Sequence, residues 1–282
     1  LGGSLKVAWD GQVIKPKIIN CSMDFHQHRG WNKDYGSLAP ADLNIPTVPE
    51  VLVSELLLLL RDVAPPQSYS MMPSLPAELP KEGNISIREL ARAYRNAVGN
   101  QKICLISHTI GWPSEESEFN HHLSFLANAG GGGLGAGPGN AVGAALAIKD
   151  MHDGCLPIAI LGDGDLLMGI QALWTAAHEN IPLLIIVANN GSYYNDEMHQ
   201  EAIAVNRGRP IENKGIGLRI ENPSVNIPAL ASAQGLEAFD PIYDVQSLTS
   251  AITAAIERTR AGATVLLDVH ITQDQVQSPV KK

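Results

Sequence analysis

The run Leu183-Leu-Ile-Ile-Val187 is apolar at every position, so an extended strand built from it has no face to offer to water. Such a strand has to lie in a sheet covered on both sides. Four further segments read as strands: Ile103–Ser107, Leu123–Ala127, Leu156–Leu161 and Thr264–Val269. Helical patterns occupy Ala141–Met151, Leu166–Glu179, Ile227–Gln234 and Gln246–Ala261. Strand, helix and strand joined by short turns predict an α/β fold, a doubly wound parallel sheet with helices on both faces. The opening of this region is marked by Ser86-Ile-Arg-Glu89, which has the spacing of a capping box. Ile85 and Leu90 stand where a hydrophobic staple would close, and the helix should run to about Val98 and stop at Gly99.

Ahead of it the material is thinner. Lys17-Ile-Ile-Asn-Cys21 reads as a short strand and Val48–Val63 as a helix with Pro49 and Glu50 in its first turn. One strand, a polar loop and one leucine-rich helix cannot bury themselves. Residues 1–63 are therefore expected to be the C-terminal part of a second, Rossmann-like α/β domain. Residues 64–84 carry Pro65, Pro66, Pro73, Pro76 and Pro80, too many for a helix interior or a central strand, and are expected to be an extended linker. Residues 85–282 form the remaining domain.

Composition removes several classes of function. Hydrophobic residues make up 45% of the 282, with 17% charged, which is enough to build a core and excludes a disordered chain. Twenty Lys and Arg against 29 Asp and Glu leave a formal charge of −9, the wrong sign for neutralising nucleic-acid phosphates. The longest apolar run, Val51–Leu60, contains Ser54 and Glu55 and cannot span a bilayer. Cys21, Cys104 and Cys155 are odd in number and widely spaced, which suits a reducing, cytoplasmic setting rather than a disulfide scaffold.

Two polar clusters follow apolar strands: Gly162-Asp163-Gly164 and, 27 positions from Asp163 to its second asparagine, Asn189-Asn190. One strand–helix–strand unit of a parallel sheet has about that length, so both clusters should reach the carboxyl ends of neighbouring strands, where open α/β sheets bind ligands. A carboxylate beside a side-chain amide oxygen is a hard donor pair suited to Mg²⁺ or Ca²⁺ rather than zinc. Glycines allow backbone amides to approach an anion. A divalent cation holding a diphosphate satisfies all three features.

Gly-Asp-Gly followed at this distance by Asn-Asn resembles the cofactor fingerprint of thiamine diphosphate enzymes, of the acetolactate synthase, benzoylformate decarboxylase and pyruvate decarboxylase superfamily. The resemblance extends over roughly the whole chain, as the end of the middle domain and the diphosphate-binding domain. It implies that Asp163, the side chain of Asn190 and the backbone carbonyl of Ser192 hold Mg²⁺. It also implies that Gly162, Gly164 and Asp165 line the diphosphate, with His108 and Thr109 on its other side and Tyr193 beside the metal loop. Gly131-Gly-Gly-Leu-Gly-Ala-Gly-Pro-Gly-Asn140 resembles the family's glycine-rich turn. By that match Leu134 props the bent cofactor and the carbonyl of Gly132 accepts from its aminopyrimidine. Asp165 stands where relatives often carry a small or hydroxyl residue, and a second carboxylate beside a diphosphate is repulsive unless it turns away.

The activity so implied is formation or cleavage of a carbon–carbon bond next to a carbonyl, on a 2-oxo acid or 2-hydroxy ketone. The activating glutamate would come from a pyrimidine-binding domain outside these residues, on a second subunit of a homodimer or homotetramer. A separately encoded cofactor-binding subunit that works only with a partner chain is the alternative. Gly131–Ala136 also satisfies G-x-G-x-x-A with Asp150 downstream, a dinucleotide reading that leaves Gly-Asp-Gly and Asn-Asn unexplained. Among the nine histidines, His199 in Asn195-Asp-Glu-Met-His-Gln-Glu201 is the candidate acid/base. His26 and His28 read as surface residues and His121-His122 as capping or solvent residues. Trp112 with Glu115 and Glu116 read either as facing the site or as a solvated loop.

Overall fold

A computed structural model describes residues 17–23, 41–63, 78–80, 82–117, 119–126 and 133–273. The chain divides into two compact units, Leu1–Pro73 and Ser74–Lys282. His26, His28, Gly131, Gly132, Ala127 and most of the proline-rich stretch lie outside the described residues.

In the first unit a short strand β1 (Ile19–Cys21) pairs in parallel with β2 (Leu43–Ile45). The amide of Ile18 donates to Asp42 Oδ2 at 2.7 Å, and Asn20 Nδ2 to Asn44 Oδ1 at 3.1 Å. Helix α1 (Pro49–Leu59) begins at its proline as expected and buries none of its residues.

The second unit opens on α2 (Ile87–Val98), capped as the sequence predicts: Ser86 accepts from the amide of Glu89 at 3.2 Å, and Glu89 accepts from that of Ser86 at 2.9 Å. Its sheet comprises β3 (Ile103–Ser107), β4 (Leu156–Gly162), β5 (Leu183–Asn189), β6 (Glu237–Ala238) and β7 (Thr264–His270), all parallel, in the order β3-β4-β5-β7-β6. The chain thus steps across the sheet from β3 to β5, passes over one position to β6 at the edge, and returns to insert β7. Right-handed crossovers in opposite directions place helices on opposite faces. On one face α2 packs with α8 (Val245–Arg260); on the other lie α3 (Ala136–Met151), α4 (Asp163–Gly169), α5 (Ala172–His178) and α7 (Ile227–Ala233).

Strand residues divide between the two cores with the period of two that a pleat imposes. In β5, Leu184, Ile186 and Ala188 join the α2/α8 core, while Leu183, Ile185 and Val187 join the other. Every residue of β5 is buried, which is why Leu183–Ala188 has no polar member ahead of Asn189 at its tip.

Three expectations need correction. Of the strand expected over Leu123–Ala127, the described residues 123–126 form none: Phe125 makes one isolated parallel bridge to Leu105. Leu105 donates to the Ser124 carbonyl at 3.0 Å and Leu126 to that of Leu105 at 3.2 Å. The Ser124 amide turns back to the carbonyl of His121 at 2.9 Å and its Oγ accepts from the amides of Asn120 and His121 at 3.0 and 2.9 Å, so the pairing stays a single bridge. The single helix expected over Leu166–Glu179 starts earlier and is broken into α4 and α5 after Gly169. A Cβ at Gly169 would sit 2.4 Å from the carbonyl oxygen of Gly135, so the break falls where another backbone comes closest. Trp112 and Glu116 are neither at the site nor solvated. Trp112 is core, its Nε1 donating to Ser117 Oγ at 2.9 Å.

Glu116 is buried and accepts from Arg92 Nε and Arg95, each at 3.2 Å, fastening the loop after β3 to α2. A buried carboxylate serving two guanidiniums is costly to neutralise. Glu116→Gln is expected to lower unfolding stability by about 1–3 kcal/mol, read as a lower urea midpoint at unchanged slope.

Candidate functional site

Gly162 is in register with Ala188, so the chain leaves β4 and β5 side by side, with Asp163 one residue beyond that rung and Asn190 two residues beyond it. Both line one cleft of about 430 Å³ at the carboxyl ends of the strands. His108 and Thr109 from the end of β3, Leu134, Gly162, Gly164 and Asp165 at the start of α4, and Ser192 and Tyr193 beyond β5 line the same cleft. Of the residues expected at the site, Gly132 lies outside the described residues; the others apart from His199 come together.

Asp163 is 3% exposed, and its Oδ2 has no hydrogen-bond partner. Burial pushes its carboxyl up to about 6, although backbone amides of Gly164, Asp163 and Gly191 pull the other way; buried Asp268 pushes it up further. An amide of the Asn190 loop and a second carboxylate therefore both act on this acid. A buried carboxylate oxygen without a donor is a position where a cation restores what desolvation removed.

The two asparagines do different work. Asn189, at the end of β5, is buried, donates to Asp268 Oδ1 at 3.0 Å and accepts from the amide of Gly191 at 3.0 Å, so it ties β5 to β7. Asn190 faces the cleft, and its Oδ1 accepts from the amide of Ser192 at 3.1 Å, which leaves that oxygen a second lone pair. The backbone carbonyl of Asn190 is held by Gln273 Nε2 at 2.9 Å.

Asp165 turns away. Its Oδ1 accepts from the amides of Gly135 at 2.6 Å and Gly137 at 3.3 Å. Gly135 is the N-cap of α3, in the left-handed region at φ 88°, and has no side chain to cap with. A carboxylate thirty residues away in sequence supplies the cap. That also explains why α3 starts at Ala136 rather than near Ala141: Pro138 is tolerated in a first turn, whose amides have no helical partner. The space left by the missing side chain of Gly164 holds the Tyr193 ring, whose Cε1 would lie 2.3 Å from a Cβ there.

Leu134 is 47% exposed in the cleft wall, not a core leucine. His108 stacks on Phe125 with ring centres 5.2 Å apart. His199 lies on α6 (Tyr194–Asn206) but is exposed and not among the cleft-lining residues. Tyr194, Asn195, Asp196 and Met198 of that helix line the cleft, and His199 lies about 100° round the helix from Met198, the last of them. His121 acts locally, its Nδ1 accepting from the amide of Leu123 at 3.2 Å. Asp150, which the dinucleotide reading needs at a strand tip, is exposed within α3. Among the described residues no three His, Cys, Asp or Glu side chains converge to hold a metal, and no helix is long and apolar enough to cross a membrane.

Sequence reasoning missed Asp268 and Glu197. Asp268 carried a signal, a lone acid in the apolar run Thr264–His270. Glu197 carried none, since α6 is polar on most sides and gives no periodicity to separate a buried acid from a solvated one.

The family model described as thiamine pyrophosphate enzyme, C-terminal TPP binding domain, matches residues 107–269. An acetolactate synthase large subunit of Pyropia yezoensis is 30% identical over 151 residues, 54% of this chain and 23% of that protein. A benzoylformate decarboxylase of Pseudomonas aeruginosa is 45% identical over 62 residues, 22% of this chain and 11% of that one. Among solved structures, a thiamine diphosphate-dependent 4-hydroxybenzoylformate decarboxylase of Rhodococcus jostii RHA1 superposes with a TM-score of 0.61 at 26% identity, covering 84% of this chain and 42% of that chain. The chain spans less than half the length of these relatives.

Proposed function

Because the chain belongs to the thiamine pyrophosphate enzymes and carries their C-terminal cofactor-binding domain, we propose that it supplies the diphosphate and Mg²⁺ half of an active site that forms or cleaves a carbon–carbon bond next to a carbonyl. The substrate class is a 2-oxo acid or 2-hydroxy ketone. The observation that carries the reading is the unpartnered, buried Oδ2 of Asp163 in a cleft shared with Asn190 and Ser192.

Asp163, Asn190 Oδ1 and the carbonyl of Ser192 would hold the Mg²⁺: three hard oxygens with a single negative charge among them, leaving room for diphosphate oxygens and water. The backbone amides of Gly164 and Asp165 would face the diphosphate. With its carboxylate engaged on the amides of Gly135 and Gly137, Asp165 has donors that offset its charge there. His108 and Thr109 would close the other side. Leu134 offers the cleft an apolar prop. When bound, thiamine diphosphate supplies a nucleophilic carbon and an electron sink for bond breaking beside a carbonyl. This chain's residues bind and orient it. The pyrimidine-binding half, with its activating acid, would come from a second subunit, and a homodimer or homotetramer is the proposed assembly.

Calorimetric titration of thiamine diphosphate into the chain is expected to give heat with Mg²⁺ and none with EDTA, and NADH is expected to give none in either case. Binding that survives EDTA unchanged would overturn the reading. With the pyrimidine-binding half present, a panel of 2-oxo acids should show Mg²⁺-dependent release of CO₂ or a carboligation product.

A further inference from the structure

Glu197 lies on α6 with 1% of its surface exposed, and the binding roles proposed above give it nothing to do. Its Oε1 accepts the hydroxyl of Ser192 at 2.5 Å and faces Arg219 Nε at 3.6 Å, while Oε2 makes no hydrogen bond. Arg219 belongs to a short strap laid along the metal loop. Ser192 and Arg219 form an isolated antiparallel bridge, Tyr193 donates its amide to the carbonyl of Leu218 at 2.9 Å, and Ile220 donates to that of Gly191 at 2.7 Å. Arg219 folds back over Gly215, where a Cβ would lie 2.4 Å from Nε. Loop, strap and helix therefore meet at one buried carboxylate.

Burying an acid to this depth, with half of its acceptors unused, lowers stability relative to an apolar side chain of the same size. Its position suggests what it provides in return. The Ser192 carbonyl lies in one planar peptide unit with the Tyr193 amide, which donates to the carbonyl of Leu218 at 2.9 Å, so its direction is tied to the strap that Arg219 anchors on Glu197. Mg²⁺ demands near-ideal octahedral oxygens, so a ligand carbonyl free to swing binds it poorly. We infer that Glu197 is a positioning residue: by holding the Ser192 hydroxyl, and the strap through Arg219, it fixes the carbonyl of Ser192 for the divalent cation. This rests on the reading of Ser192 as a cation ligand.

The test is the Mg²⁺ concentration that half-saturates thiamine diphosphate binding to the 282-residue chain, measured by calorimetry alongside thermal unfolding without Mg²⁺. Glu197→Ala is expected to raise that concentration by about 10- to 100-fold, the range typical of lost outer-shell partners. Glu197→Gln still accepts the hydroxyl and should stay within about 3-fold of the parent. Ser192→Ala removes the donor without leaving a cavity, so it should move the same way as Glu197→Ala even if that variant folds poorly. The double variant should be no worse than the worse single one, because both cut one link. A parental Mg²⁺ requirement in Ser192→Ala, or additive effects in the double variant, would overturn the inference alone. Absence of Mg²⁺-dependent binding in the parent would take down the functional reading with it.

Discussion

Asp163→Asn is expected to abolish Mg²⁺-dependent cofactor binding and, at the same time, to make the metal-free protein more stable at pH 8. The sign follows from the raised carboxyl. Its folded value of about 6 lies above the ordinary 3.8, so the folded state favours the protonated acid. Stability from this group is fully present below the ordinary value, declines as pH rises between the two, and is gone above about 6. The difference corresponds to about 3 kcal/mol of folding free energy removed from the metal-free protein at neutral and alkaline pH. An asparagine carries no charge to bury and escapes that loss. Thermal unfolding without metal at pH 8 should therefore show the variant melting above the parent, by about 2–4 °C for each kcal/mol, with the gap closing towards pH 4. Adding Mg²⁺ and thiamine diphosphate should reverse the order, because only the parent gains the stabilisation that ligand binding confers. A variant that melts below the parent without metal at pH 8 would contradict this account of Asp163.

Gly137→Ala should be among the most damaging single-methyl changes in the second unit. The new Cβ would lie 2.0 Å from Asp165 Oδ2 and 2.8 Å from Leu161 Cδ2. It would evict the carboxylate that caps α3 and press on a buried core leucine of β4. Overpacking and a lost charged cap together amount to about 2–4 kcal/mol. Asp165→Ser, which keeps an acceptor on a shorter side chain, should cost about 1 kcal/mol alone and relieve part of the Gly137→Ala defect when the two are combined. The coupling is measurable as a double-mutant cycle in urea. Strict additivity would show that Asp165 is not what a side chain at 137 collides with.

Much of the fold was readable from local pattern. β4 and the Leu183–Ala188 run of β5 are apolar on both faces, and a residue sequence with no polar face permits only a doubly covered strand. The Ser86/Glu89 box is four residues long and involves only its own turn. The same reasoning failed at Leu123–Ala127, where apolar character matched a strand but the amide and hydroxyl of Ser124 close a local turn with Asn120 and His121, leaving one bridge to β3. It failed again inside the helix that breaks after Gly169, where the backbone of Gly135, far away in sequence, packs against it.

The site divides along the same line. That an acid and an amide would leave adjacent parallel strands was legible in the spacing of Asp163 and Asn190, since one crossover has a nearly fixed length. Spacing alone left three things open: which of the two asparagines faces the cleft (only the family resemblance supplied Asn190), where Asp165 points, and that Glu197 is buried. Each is settled by a partner that the chain brings in from elsewhere: Asp268 from the last strand, the bare amides of α3, and the strap at Arg219. Sequence periodicity records which side of an element is dry. The hydrogen-bond partner that a buried polar group finds there depends on how the elements pack, and only the tertiary structure decides it.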